Sequence, residues 1–102
     1  MSNQFGEHIR TLRGKRKLLQ RQVAAQLEID TPMLSKIERG ERNAKREQVD
    51  LFAQIFHVDV NELLTLWLAD RIYEVIKDES DATEALRVAE DVYKYEKEQK
   101  KK

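Results

Sequence analysis

An all-α fold is the class the sequence predicts, on two observations. Apolar residues recur at spacings of three and four through most of the chain, and charged residues make up 37% of it with only three glycines and one proline. At 102 residues there is room for one domain and an appendage. Without cysteine there is no disulfide framework and no thiolate metal site, and no cofactor is expected. No apolar run approaches the roughly 18 residues of a membrane span. The amino-terminal MSNQFGEHIR lacks a signal-peptide pattern, so a soluble, cytoplasmic protein with no membrane partner is expected.

Net charge is zero, which taken alone argues against a nucleic-acid partner, but the average conceals an asymmetry. Residues 1–56 carry eleven Lys/Arg against seven Asp/Glu, a balance of +4, and residues 57–102 carry eight against twelve, a balance of −4. That split is the pattern of a chain in which one half meets phosphates.

In chain order, Phe5, Ile9 and Leu12 mark a first helix ending near Lys17, with Arg10, Arg13, Lys15, Arg16 and Lys17 around its stripe. These cations face phosphates, or are a solvated face near a helix C-terminus. Gly14 weakens the helix by about 1 kcal/mol. Val23, Ala24 and Leu27 define a second helix, in which the small Ala24 permits close approach of a neighbour. After a turn at 28–30, Asp30 or Thr31 can cap a third helix, Pro32 is tolerated in its first turn, and Gly40 ends it.

The polar, mainly basic stretch 41–46 is a loop. A fourth helix turns Val49, Leu51, Phe52, Ile55 and Phe56 inward. A fifth, capped by Asp59 or Asn61, carries an apolar stripe from Leu63 to about Lys77 and is long enough to divide near Trp67. Asp81 and Glu84 resemble a capping box for a last helix with Ala82, Ala85, Leu86, Ala89, Val92 and Tyr93 on one face. The charged end, EKEQKKK, is expected to fray.

The stretch Gln20–Gly40, QRQVAAQLEIDTPMLSKIERG, resembles the helix-turn-helix of the phage-repressor and Cro family, also called the XRE family. That motif runs Q-x-x-[LV]-A through a turn into a helix ending S-x-I-E-x-G. Gln20, Val23, Ala24, Leu34, Ser35, Ile37, Glu38, Arg39 and Gly40 match it. The resemblance covers roughly residues 5–68. It implies a five-helix, lambda-repressor-like domain over residues 1–65, with residues 66–102 as a C-terminal helical extension.

The resemblance also implies duplex DNA as partner, with the 30–39 helix in the major groove. Thr31, Pro32, Met33, Ser35 and Lys36 then occupy base-facing positions. Gln20, Arg21, Arg39, Arg42, Asn43, Lys45 and Arg46 fall at backbone-contacting ones. Alternatives stay open. Ser35 can back-bond within its own helix, Met33 can pack at the rim, and Arg39 and Arg42 can be plain surface charges. Arg13 and Glu38 match positions that form a structural ion pair.

The chain departs from the family pattern at three places. Leu19 stands where a Ser/Thr cap is usual, and Glu28 and His57 stand at glycine positions. Glu28 then needs a left-handed conformation at a cost of about 1 kcal/mol. An enzyme is not expected: His8 and His57 are isolated on different elements, and no acid–base pair, phosphate loop or metal spacing appears.

Residues 66–95 hold more apolar side chains than a small core needs, which predicts a helical hairpin that docks on its mate in a homodimer. Leu66, Leu68, Ile72, Tyr73, Ile76, Leu86, Val92 and Tyr93 would form that contact. The alternatives are a hairpin that holds another protein, such as a toxin, and one that simply caps the core. The resemblance thus implies a transcriptional regulator, an antitoxin, or a controller of a restriction–modification locus.

Overall fold

The computed structural model describes residues 3–100, and residues 1–2 and 101–102 of the expected domain spans lie outside that range. Among the described residues the chain is all helical: α1 Gln4–Lys15, α2 Gln20–Leu27, α3 Thr31–Glu38, α4 Arg46–Phe56, α5 Val60–Ile76 and α6 Ala82–Lys100. None of these is long and apolar enough to cross a membrane.

Local chemistry sets the boundaries. Asp30 caps α3 by accepting the Met33 N–H at 2.8 Å, and Asp59 caps α5 by accepting that of Asn61 at 2.8 Å. Leu19 and Lys45, ahead of α2 and α4, have no side-chain oxygen to offer. There Gln22 and Gln48 reach back and accept the Leu19 and Lys45 N–H at 2.7 and 2.8 Å, half of a capping box.

Four turns use a left-handed residue just past a helix, at Lys17 (φ 54°), Glu28 (φ 58°), Gly40 (φ 77°) and His57 (φ 55°). Each lets the chain return a backbone N–H to the last turn, as in Leu18 to the Arg13 carbonyl at 3.0 Å and Glu41 to that of Lys36 at 2.9 Å. So α1 stops at Lys15, two residues short of the expected end, and Lys17 belongs to the turn.

The core lies among α1 to α5. Phe52 sits at its centre, edge-on to Phe5 with ring centroids 5.7 Å apart and stacked on Phe56 at 6.1 Å. Ile9, Val23, Ala24, Leu27, Leu34, Ile37, Val49 and Leu63 close around these rings. Leu51 was expected inside but is exposed. The buried face of α4 is Val49, Phe52, Ala53 and Phe56, an i, i+3, i+4, i+7 set that turns position 51 away.

The fifth helix does not divide near Trp67. α5 is continuous from Val60 to Ile76, so the expected boundary between residues 65 and 66 falls within one helix rather than at a linker. Its first half lays Leu63, Leu64, Leu66 and Trp67 on the core, and beyond Asp70 its apolar side chains are largely exposed. A short turn leads to α6, which buries none of its residues. The charged end expected to fray is helical as far as Lys100.

Candidate nucleic-acid interface

α3 is held from behind. Leu34 and Ile37 are buried in the core, and Glu38 is the one charged side chain buried with them among the described residues. Arg13 of α1 meets Glu38 side-on, donating from Nε to Oε2 at 2.8 Å and from Nη2 to Oε1 at 3.1 Å. Its remaining Nη1 donates to the Leu18 carbonyl at 3.0 Å. Gln20 adds a third donor, Nε2 to Glu38 Oε1 at 3.0 Å. A carboxylate that is 3% exposed is thus matched by a guanidinium and an amide, which a buried charge requires.

The end of α3 is also pinned. Asn3 donates to the Glu38 carbonyl at 2.8 Å, and Gly6 of α1 passes so close that a methyl group there would lie 2.7 Å from the same oxygen. Only hydrogen fits in that gap, so α1 and α3 touch backbone to backbone. These contacts leave the opposite face of α3 outward. Pro32 and Lys36 are exposed, and Thr31 and Ser35 half-buried.

Met33 is half-buried, packed on the core rim, and lines a groove with Ile29, Asn43, Lys45 and Gln48. Ser35 neither points freely outward nor back-bonds to its helix; its Oγ accepts from the Arg39 guanidinium, which also grips the Glu41 carboxylate. Arg39 is therefore held in place on the surface rather than free. Gln20, with its amide nitrogen committed to Glu38, has a packing role in addition to its place at the start of α2.

Basic side chains flank α3 on both sides. One groove beside it is lined by Arg10, Arg13, Gln20, Ser35, Glu38 and Arg39. The other side carries the loop with Arg42, Asn43 and Lys45, all exposed, followed by Arg46 at the first turn of α4, where it also pairs with Asp50 at 3.6 Å. Arg21 is exposed at the start of α2. The outcome is a polar helix edge between two cationic margins, and the N-termini of α2 and α4 add the partial positive charge of their first-turn N–H groups.

Two anchors of this surface have little sequence signal. The Trp67 indole Nε1 donates to the Ala44 carbonyl at 2.8 Å, tying the basic loop to α5. Arg71 lies over the same ring, 4.8 Å from its centroid. Arg10 enters the groove beside Arg39, a placement that helical periodicity alone does not give. His8, read as isolated, meets Glu62 of α5 at 2.7 Å.

No curated protein matches the chain. A family model described as a helix-turn-helix domain matches residues 4–66, well over half of the chain and the span from the first residue of α1 into α5. The chain belongs to the helix-turn-helix domain family of DNA-binding proteins, in its phage-repressor/Cro-type group.

Proposed function

We propose that the protein is a sequence-specific regulator of transcription that binds a (pseudo)palindromic operator as a homodimer, with α3 of each copy in the major groove. One observation carries this reading: the polar edge of α3 is outward and undistorted, braced from behind by Leu34, Ile37 and the Arg13–Glu38–Gln20 network. A helix about 10–12 Å across fits the groove of B-DNA.

In this reading Lys36 donates to guanine O6 or N7, and Thr31 and Pro32, with Ser35 beside them, read the neighbouring edges. Met33 contributes its exposed part against a thymine methyl. Arg42, Asn43, Lys45 and Arg46 grip one phosphate strand from the α3–α4 loop. Arg21 and Arg39, with the first-turn N–H groups of α2 at Gln20, grip the other. Two copies place their α3 helices about 34 Å apart, one turn of the duplex, joined through the C-terminal helices.

Selection of bound duplexes from a random pool tests this directly. The expected product is a palindromic consensus, and affinity for it should fall by about 10³-fold or more between 50 and 200 mM salt. Equal affinity for selected and random duplexes would refute sequence reading.

A further inference from the structure

We propose that α6 pairs antiparallel with α6 of a second copy of this chain, and that this helix pair joins the two DNA-binding units. The proposal rests on the two-fold reading above and deepens it by naming the joining element and its direction.

α6 is 19 residues long with no buried side chain, and Leu86, Val92 and Tyr93 are 41%, 55% and 62% exposed. An isolated helix is marginal in water unless an apolar face is packed, and intrahelical ion pairs add only a few tenths of a kcal/mol each. Among the described residues the ion pairs of α6 are all of that local kind: Arg87 with Glu84 and with Asp91, and Lys94 with Glu90. Glu84, Arg87 and Asp91 lie on the face opposite the apolar stripe of Ala82, Ala85, Leu86, Ala89, Val92 and Tyr93. The stripe is left open while the opposite face is already satisfied.

Charge sets the direction of pairing. Residues 82–91 hold three carboxylates against one arginine, and residues 92–100 hold three lysines against two glutamates. Antiparallel pairing lays the acidic half of each helix along the basic half of the other, and it also opposes the two helix dipoles. Parallel pairing would set acidic against acidic and basic against basic. With the helices crossing near Ala89, the small Ala85 of one copy lies beside the large Tyr93 of the other, and alanines at the crossing allow close approach. Among the described residues no other helix buries any part of this face, and a two-fold partner supplies the complementary charge from the same sequence.

The chain has no cysteine, so introduced thiols report unambiguously. Ala82→Cys and Glu96→Cys variants of the full chain should form a mixed disulfide when combined, and neither should crosslink to itself. Ala89→Glu should weaken dimerisation at least 100-fold in sedimentation equilibrium, while Trp67 fluorescence keeps its urea midpoint and shows that the core is intact. Self-crosslinking of Ala82→Cys would overturn the antiparallel direction. A dimer that survives Ala89→Glu would place the joint elsewhere. A wild-type chain that is monomeric at tens of micromolar, or that is held there only by an unrelated protein, would overturn the pairing altogether. The DNA-binding reading fails separately: it is refuted by a chain that dimerises yet selects no consensus, and it survives if the Ala89→Glu monomer still selects a half-site.

Discussion

Asp70, two-thirds of the way along α5, caps the amino end of α1 where Phe5 begins the core. Its carboxylate accepts the N–H of Gln4 at 3.0 Å and of Phe5 at 2.9 Å. The local candidate, Asn3, makes no side-chain cap and turns instead to the Glu38 carbonyl. Capping and the attraction of a carboxylate to a helix N-terminus together contribute about 1–2 kcal/mol. Asp70→Ala should lower the unfolding free energy by that amount in urea titration, and Asp70→Asn, which keeps an acceptor oxygen, should lose less.

The pair Arg13–Glu38 should behave as one unit. Removing either partner strands a largely desolvated charge, so Glu38→Ala and Arg13→Ala should each cost about 3–5 kcal/mol. The double variant, with neither charge left unpaired, should cost clearly less than the sum. Additive losses in that cycle would mean that the two side chains are held independently, against the bidentate geometry.

Much of the fold was legible because helical periodicity, caps and turn residues agree with one another along α1 to α5. What escaped is whatever depends on residues remote in sequence: the Asp70 cap of α1, the Trp67 bond to Ala44, and Gly6 against the end of α3. Leu51 misled because an isolated apolar residue beside a true stripe looks like part of it. The outward edge of α3 was readable from the motif, but the engagement of Ser35 and Arg39 with each other was not, since it depends on side-chain direction.

Glycine positions make that contrast testable. Glu28 and His57 adopt left-handed backbone at φ 58° and 55°, so Glu28→Gly and His57→Gly should each stabilise by about 1 kcal/mol, read as a rise in melting temperature. Gly14 has open space where a methyl would go and lies inside α1, so Gly14→Ala should stabilise by about 0.5–1 kcal/mol. Gly6→Ala should do the reverse, by about 1–3 kcal/mol, because α1 and α3 must separate.

Arg39 is held by Ser35 and Glu41 in the free protein, and a phosphate would have to compete with Glu41 for it. Glu41→Ala should therefore raise affinity for every duplex, selected or random, by a few-fold at low salt, with less gain as salt rises. Improvement confined to the selected duplex would instead assign Glu41 a part in reading sequence.

The Trp67 bond to Ala44 separates holding the basic loop from touching DNA. Trp67→Phe keeps one aromatic ring on the core rim but removes the Nε1–H together with the rest of the indole's second ring, leaving the buried Ala44 carbonyl without that donor. Stability should fall by about 1 kcal/mol. With its anchor gone, the loop bearing Arg42, Asn43 and Lys45 samples more positions, so operator affinity should drop while the steepness of its salt dependence stays the same. Lys45→Ala, which removes one of the cations proposed to meet phosphate, should lower that salt slope by about one. Lys36→Ala should differ from both, relaxing preference at one base-pair position at a cost of about 1–3 kcal/mol. A Trp67→Phe protein that binds with unchanged affinity would mean that the loop needs no anchoring from α5.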